Sequence, residues 1–363
     1  MILLSLGLPG HLAEWCDAVL ALLARRLGGG DVLVATWPPL QDVFNRTESG
    51  TALAAAALGL IRSNASHVVL GARQPDEGLY AALLQTNSSF VLALDDPRNA
   101  VADVFAAANG ALASITGAVA SACPLLARFA SLPGAFVVRR GGDPAAHLVS
   151  AMAGHLGLAP SEAEIAGIVA ELDSAGLSRA LTLERQWHER IPEAGHKLVD
   201  GALGAYAEAS PGEKLGQIVW RRELFLSADK PGTSLTDTVS LVGPPRHIVF
   251  GPYIRLPQGS WNARVLLGIS PEGVGQLLMI DVYAGGQLTS TMLRPHNGGI
   301  YTVELNFAVA GPVSDRAELR IQLPNGAVRG ELAFGQVVLT HVRSPVSDAL
   351  SEVQGDFRAV LVV

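Results

Sequence analysis

The first thirty residues, MILLSLGLPGHLAEWCDAVLALLARRLGGG (Met1–Gly30), decide the fold of the amino-terminal half. Ile2–Leu6 is a short apolar run that predicts a buried strand, and a Gly/Pro-rich loop ends it. The residues after the loop carry apolar side chains at helical spacing until three glycines stop the pattern. A strand, a tight loop and a helix are thus predicted, a geometry in which backbone N–H groups at a helix N-terminus can hold an anion.

The alternation of strands and helices continues along the next part of the chain. Helices are predicted between the strands, including one at 51–61 and one from residue 97 to about 112. Ser161 and Glu164 have the spacing of a capping box, which predicts the start of a later helix. Further apolar runs predict strands at 31–35, 67–70, 90–94 and 136–139. Apolar strands that alternate with helices are typical of a parallel sheet covered on both faces. We therefore predict an α/β domain, similar to P-loop folds, over residues 1–215.

A different pattern follows Pro211. From residue 218 onward short strands alternate with turns rich in Gly, Pro and Asn, and the helical period is largely absent. This pattern predicts an all-β sandwich, jelly-roll-like, over residues 216–345. The tail, 346–363, could supply a last strand near its end.

Charge and cysteine content restrict the class of function. The net charge of −7 lies entirely in residues 1–215, which carry 14 Lys and Arg against 21 Asp and Glu. Such a surface does not favour nucleic acid, which needs a basic face. Cys16 and Cys123 give neither a disulfide framework nor metal-ligand spacing, so we expect reduced thiols in a cytoplasmic protein and no metal. No uninterrupted apolar run of membrane-spanning length is visible in the sequence, so no membrane span is expected.

The amino-terminal loop lacks the side chains that a P-loop uses. A working P-loop needs a Lys and a Ser or Thr at the start of its helix. Here Gly7, Pro9, Gly10 and His11 stand in that region, and Glu14 would repel a phosphate.

Three segments in order resemble the P-loop sulfotransferases. The strand and helix start FVLALDDPRNAV (Phe90–Val101) resembles that family's pattern of a strand followed by R-[DN]-P-[RK]-[DN]-x-x-x-S. The amino-terminal strand and loop and the segment FVVRRGGDPAAHLVSAMAGHLGLAPSEAEIAGIVAEL (Phe136–Leu172) are also similar to it. The resemblance covers about residues 1–210 and implies a site for an adenosine phosphosulfate donor (PAPS).

Two departures from that family's motif predict that the donor site is lost. The family's Arg and Ser bind the 3′-phosphate of the donor, and Asp95 and Asp103 stand at these positions here. Carboxylates accept hydrogen bonds but donate none, and each would repel a phosphate. Arg98 remains at a variable basic position. We expect no cofactor, and His11 is the candidate general base if catalysis persists.

Ordinary structural roles also fit several of these residues. Asp96 before Pro97 is typical of a helix N-cap with proline at the first helical position. Arg73 could bind a ligand or form a salt bridge with Asp76 or Asp95. His11 could be a plain loop residue.

A second resemblance lies in HIVFGPYIRLPQGSWNARVLLGIS (His247–Ser270) and the later strand Glu318-Leu319-Arg320-Ile321. They are similar to accessory β-sandwiches found beside bacterial glycosyltransferases and sulfotransferase-like proteins, modules that resemble carbohydrate-binding folds. Sugar binding needs an exposed aromatic plane and planar polar groups. The candidates are Tyr253, Arg255, Trp261, His296, Asn297 and Tyr301, although Trp261 and Tyr253 could instead belong to the core.

These observations favour a non-catalytic sulfotransferase-like protein. Its sandwich would bind a glycan or glycoconjugate in bacterial polysaccharide or glycoconjugate assembly. An active sulfotransferase or related group transferase with an altered donor site is one alternative, and a structural partner subunit is another. The sequence leaves the oligomeric state open.

Overall fold

A computed structural model describes residues 2–37, 66–73, 76–107, 110–141, 143–182, 186–209, 215–313, 315–342 and 359–362. They belong to two compact units. The first comprises 1–115 and 125–193, and the second comprises 116–124 and 194–363. The helix predicted at 51–61 lies outside the described residues. The units divide between Glu193 and Ala194, and the boundary predicted at 215/216 stays a prediction.

Within the described residues, the first unit is built on a parallel sheet of five strands. In spatial order they are β2 (Val32–Trp37), β3 (His67–Ala72), β1 (Ile2–Gly7), β4 (Phe90–Leu94) and β5 (Ala135–Arg139). Each neighbouring pair is parallel, which confirms the predicted α/β fold. Because β2 and β3 lie on one side of β1 and β4 lies on the other, the order of strands reverses at β1.

Helices cover both faces of this sheet. In the described part of the chain up to residue 190, the α-helices are α1 (His11–Gly28), α2 (Glu77–Thr86), α3 (Pro97–Ala107), α4 (Leu112–Phe129), α5 (Ala145–His155), α6 (Glu162–Ser174) and α7 (Trp187–Arg190). Val91 of β4 shares a core with α1, α5 and α6, whereas its neighbour Phe90 contacts Phe129 at the end of α4, with ring centroids 6.3 Å apart. Successive strand residues face opposite sides of a sheet, so the two contacts identify two covered faces.

Two helices show how local sequence sets helix boundaries here. The capping box predicted for Ser161 and Glu164 is present at the start of α6. The helix predicted from residue 97 to about 112 ends at Ala107, and α4, a separate helix, was not predicted.

Among the described residues, α4 is the one helix long and apolar enough to cross a membrane, and 56% of it is buried inside the protein, as a core helix would be.

The second unit contains helix α8 (Glu193–Glu208) and an antiparallel β-sandwich. Its strands are β6 (Ile218–Arg221), β7 (Leu226–Ser227), β8 (Lys230–Ser234), β9 (Val239–Ser240), β10 (Arg246–Ile254), β11 (Pro257–Ile269), β12 (Leu278–Tyr283), β13 (Gln287–Leu293), β14 (Gly299–Val313), β15 (Ala317–Leu323), β16 (Glu331–Val342) and β17 (Ala359–Val362).

In the part of the chain that the structure describes, these strands form two sheets. One has the order β13-β12-β15-β10-β7-β8, and the other has the order β17-β14-β11-β16-β6 with β9 beside β16. Alternate residues are buried along β15, where Leu319 and Ile321 are fully buried and Glu318 and Arg320 are not, and along much of β11. This alternation produces an apolar layer between the sheets, and it confirms the predicted sandwich.

Candidate functional site

The carboxyl ends of β1 and β4 mark the place in the first unit where a ligand would be expected. In open α/β sheets, ligands bind outside the carboxyl ends of the strands where the strand order reverses. Gly7 is the last residue of β1 and pairs with Ala93 of β4. A Cβ atom at Gly7 would lie 2.9 Å from the Ala93 carbonyl oxygen, so this approach of the two strands requires glycine. The predicted residues Gly7, Pro9, Gly10 and His11 all lie here, between β1 and α1.

The head of α1 is closed by the carboxylate of Asp103 from α3. Asp103 Oδ2 accepts a hydrogen bond from the backbone N–H of His11 at 3.3 Å. Gly10 has φ +147°, and a Cβ atom there would lie 2.6 Å from the same oxygen. The Asp103 side chain is only 7% exposed. A carboxylate of the chain itself therefore occupies the position at the helix N-terminus that suits an anion.

Arg190 of α7 neutralises Asp103. Its Nη1 atom forms an ion pair with Asp103 Oδ1, and its Nη2 atom donates to Asn99 Oδ1 at 3.4 Å. The exposed His11 ring lies beside the pair, with Nε2 3.6 Å from Asp103 Oδ1 and Nδ1 3.2 Å from Glu14 Oε2. His11 thus contacts two carboxylates.

Asp95, at the end of β4, forms a second internal ion pair. Arg140 Nη2 pairs with Asp95 Oδ2, and Arg140 Nη1 donates to the Ala180 carbonyl oxygen at 2.7 Å. The other oxygen of Asp95 accepts from the backbone N–H of Asp96 at 2.8 Å. Burial raises the pKa of Asp95, and the hydrogen bond and charge of Arg140 oppose that rise. A carboxylate partnered in this way does not need a ligand.

Arg98, which stands at the variable basic position of the sulfotransferase motif, is also bonded to a carboxylate of the chain. Its guanidinium forms hydrogen bonds to both Asp96 oxygens, with Nε 3.0 Å from Oδ1 and Nη2 2.8 Å from Oδ2, and lies 5.5 Å from the centroid of the Trp187 ring. Asp96 Oδ1 also accepts from the Arg98 backbone N–H at 2.9 Å, which confirms its predicted role as a helix cap.

The predicted partners of Arg73 were wrong. Arg73 is buried and pairs with Asp17 of α1, not with Asp76 or Asp95. Ser5 of β1 also donates to Asp17. Burial raises the pKa of Asp17, against the lowering effect of Arg73. The Arg73–Asp17 ion pair therefore links the end of β3 to α1.

In the second unit, two of the candidate aromatic residues are buried, and Trp261 takes the core role that the sequence left open beside sugar binding. Trp261 is 1% exposed, its Nε1 donates to the Pro257 carbonyl oxygen at 3.1 Å, and its ring centroid lies 4.8 Å from that of His341. Tyr301 is buried, and its hydroxyl donates to the Asn297 carbonyl oxygen at 2.6 Å. Neither ring can offer its face to a sugar because each is covered by the protein.

Trp261 and Tyr301 lie far apart in the sheet, and only Tyr301 has another sugar candidate, Asn297, among its hydrogen-bond partners described above. Trp261 pairs with Phe307, whereas Tyr301 pairs with Leu267, so the two aromatics lie about 20 Å apart along the strands. His296 and Asn297 are exposed in the turn before Tyr301. Arg255 donates to Ser121 Oγ at 3.3 Å. The six candidates therefore do not converge on a single site.

Tyr253, by contrast, is 38% exposed and belongs to a cluster on the outer face of the β12-β15-β10 sheet. Its ring centroid lies 6.4 Å from that of Phe250 in an edge-on arrangement. Register places Phe250 and Asp281 on either side of Arg320, and places Tyr283 beside Glu318. We call Phe250, Tyr253, Asp281, Tyr283, Glu318 and Arg320 the outer-face cluster.

The charged members of the outer-face cluster hold one another in place. Arg320 Nε donates to Asp281 Oδ1 at 2.9 Å, and Nη2 pairs with Oδ2. Arg320 Nη1 lies 3.8 Å from Glu318 Oε1, and its guanidinium carbon lies 4.4 Å from the centroid of the Tyr283 ring. Burial, followed by the charge of Glu318 and a hydrogen bond to it, raises the pKa of Tyr253 to about 12.

Comparisons with solved structures match parts of this chain. A mouse sulfotransferase complexed with PAP matches 57% of this chain and 84% of its own, at 12% identity and a TM-score of 0.41. A carbohydrate-binding module of a xylanase from the hindgut metagenome of Trinervitermes trinervoides matches 36% of this chain and 100% of its own, at 7% identity and a TM-score of 0.25. A module of a Zobellia galactanivorans laminarinase matches 34% and 99%, at 15% identity and a TM-score of 0.24.

No protein-family model matches the sequence, and no curated protein matches it. At the identities and TM-scores found, a structural likeness does not carry a ligand or a reaction from one protein to another.

The two sites differ in what they can do chemically. At the head of α1, carboxylates and guanidinium groups neutralise each other, and a backbone N–H donor is used by Asp103. In the outer-face cluster, an exposed phenol ring stands next to a carboxylate and a guanidinium. The first arrangement pairs its charged groups with one another, whereas the second leaves part of an aromatic ring exposed beside its charged groups.

Proposed function

We propose that this protein recognises a glycan through its β-sandwich and catalyses no sulfate transfer in its α/β unit, and that it serves polysaccharide or glycoconjugate assembly as a recognition factor. The observation that carries the non-catalytic part is the pairing of Asp103 with both the His11 N–H and Arg190. Where the sulfotransferase motif has a serine that binds phosphate, this chain has Asp103, a carboxylate that is already hydrogen-bonded and ion-paired within the protein.

Charge and packing both oppose a phosphate at this place. An incoming phosphate would have to displace the Asp103 carboxylate from the helix end, and breaking a buried ion pair costs about 3–5 kcal/mol. Asp95 repeats the problem at the end of β4, because its carboxylate is buried and held by Arg140. A nucleotide donor would thus face two carboxylates in place of the expected guanidinium and hydroxyl donors.

The glycan part rests on the second unit. Sugar rings have one apolar face, which stacks on an aromatic plane, and hydroxyls that pair with planar polar groups. Tyr253 supplies an exposed ring, and Glu318 and Arg320 supply the planar polar groups within the same cluster.

A transfer assay and a binding assay on the intact chain test the two parts separately. Labelled sulfate from an adenosine phosphosulfate donor should not reach any glycan of a mixed acceptor panel, and sustained transfer above a protein-free control would overturn the non-catalytic part. Fluorescently labelled protein should bind a subset of spots on a glycan array. An array with no bound spots would overturn the glycan part.

A further inference from the structure

The outer-face cluster lies on the side of its sheet that faces away from the sandwich core. Leu319 and Ile321 of β15 are fully buried in that core. Glu318 and Arg320 alternate with them, so they project from the opposite face. Residues of β10 and β12 that are registered with them belong to the same face.

Burial of charge on this outer face requires an explanation. Asp281 is 0% exposed although it belongs to the outward row of β12. A buried carboxylate is tolerated when it is paired and hydrogen-bonded, and Arg320 supplies two bonds to it. The Tyr283 ring packs against the same guanidinium. Arg320 is therefore held in one orientation, with Nε and Nη2 bonded to Asp281 and Nη1 on the side of Glu318.

Tyr253 adds a strained and exposed aromatic ring next to this fixed group. Its backbone has φ +64°, in the left-handed region that a bulky side chain rarely adopts. A non-glycine residue held there is strained, and strained residues cluster at active sites and ligand-binding segments. The hydroxyl is hydrogen-bonded to Glu318, so the ring is held beside the carboxylate.

The charge of the outer-face cluster restricts its ligand. The contacting side chains Asp281, Glu318 and Arg320 together carry one net negative charge. A uronate or sulfate group placed here would meet Glu318 as a like charge, whereas a neutral hydroxyl or an ammonium group would not. An ammonium group also interacts favourably with the face of a tyrosine ring.

We propose that the outer-face cluster is a saccharide-binding site in which a pyranose ring stacks on Tyr253 and its hydroxyls pair with Glu318 and Arg320. Its ligands are neutral sugars or amino sugars, and it excludes uronic acids and sulfated sugars. This inference rests on the glycan recognition proposed above and names its site and its sugar class.

Calorimetric titration of the full chain with purified oligosaccharides tests the proposal. The probes are tetrasaccharides of cellulose, xylan, mannan, chitin and chitosan, and the acidic counterparts are tetragalacturonate and a heparin-derived tetrasaccharide. At least one neutral or amino tetrasaccharide should bind, with affinity at least ten-fold above that for either acidic probe. Equal or tighter binding of an acidic probe would overturn the sugar class.

Three variants test the site itself. Tyr253→Ala should weaken binding of the neutral or amino sugar at least ten-fold. Glu318→Gln should weaken it several-fold, and it should reduce the ratio of that affinity to the affinity for the acidic probes. Leu266→Ala is the matched control, because Leu266 is an exposed apolar residue of β11 in the other sheet, and it should bind as the parent does. Circular dichroism and a melting curve show whether each variant is folded, and Glu318→Gln keeps the test valid if Tyr253→Ala unfolds.

The outcomes separate this proposal from the proposed function. If the parent binds a neutral sugar and Tyr253→Ala and Glu318→Gln bind it equally well, the site is overturned while glycan recognition stands. If no probe and no array glycan binds the parent, both fail.

Discussion

The Asp103 carboxylate lies 3.3 Å from the backbone nitrogen of His11 and accepts its hydrogen bond at the first residue of α1. These residues are separated by 92 positions in the sequence. Arg190 completes the contact from a third element. An internal anion is thereby bound where the strand order of the sheet would place an external one.

Removing this carboxylate should destabilise the first unit. In Asp103→Ala, Arg190 loses its ion-pair partner and the His11 N–H loses its acceptor, so we expect a loss of about 3 kcal/mol in the free energy of unfolding. Urea denaturation followed by circular dichroism measures it. Glu171→Gln is the control, since the Glu171–Arg26 pair is much more exposed than the Asp103–Arg190 pair and should be worth less than about 1 kcal/mol. Equal effects of the two substitutions would contradict a buried role for Asp103.

A smaller side chain at the same position should open the helix end to an anion. Asp103→Ser removes the negative charge and leaves Arg190 and the His11 N–H as donors. Sulfate at millimolar concentration should therefore raise the melting temperature of Asp103→Ser more than that of the parent. Sodium chloride at matched ionic strength controls for general salt effects. If sulfate raised the melting temperature of both proteins equally, the Asp103 carboxylate would not be the group that keeps an anion from the N-terminus of α1.

The ionisation of Tyr253 reports on its contact with Glu318. Its pKa of about 12 lies above the usual value of about 10. The folded state holds the phenol proton more tightly, so this group's stabilising contribution is complete below about pH 10 and is lost as the pH rises through about 12.

Tyrosinate absorbance, taken as the difference between the parent and Tyr253→Phe, gives this pKa directly. In Glu318→Gln the pKa should fall but remain above the usual value, because the burial that contributes most to the shift persists. An unchanged pKa in Glu318→Gln would argue against the contact.

Trp261 should matter for stability and not for sugar binding. Trp261→Phe keeps an aromatic ring in the core but loses the hydrogen bond from Nε1 to the Pro257 carbonyl oxygen. We expect a loss of about 1–3 kcal/mol in the free energy of unfolding, because both a buried hydrogen bond and packed volume are removed. Glycan affinity measured by calorimetry should match that of the parent. A ten-fold loss of affinity in a folded variant would place Trp261 at the binding site after all.

Local sequence patterns were sufficient for the two-part architecture. Apolar runs separated by turns identified each of the strands β1 to β5, and the Ser161–Glu164 box located the start of α6. Helix α4 escaped prediction because Pro124 lies inside it, and an internal proline normally marks a helix break.

The ion pairs of the candidate site could not be read from the sequence. Asp95 and Arg140 are 45 residues apart, and Asp103 and Arg190 are 87 residues apart. No spacing rule connects such residues, since only the fold brings α3 and α7 together. The sequence identified the two aspartates as departures from the family motif, but their partners required the structure.

The sequence revealed only part of the outer-face cluster, again because the fold and not the spacing brings its members together. Tyr253 was a candidate because of its aromatic side chain, and Trp261 and Tyr301 were candidates on the same ground. Strand register decides which aromatic faces outward, and a shift of one residue would exchange the two faces. Asp281 and Tyr283 became relevant only when β12 was placed beside β15.

Titration of adenosine 3′,5′-bisphosphate against the intact parent protein tests the central claim most directly. Isothermal calorimetry should detect no binding at millimolar ligand, because Asp103 and Asp95 already hold the cations and the helix end. Saturable binding at micromolar concentration would contradict the account, since it would show that the site still accepts a nucleotide phosphate.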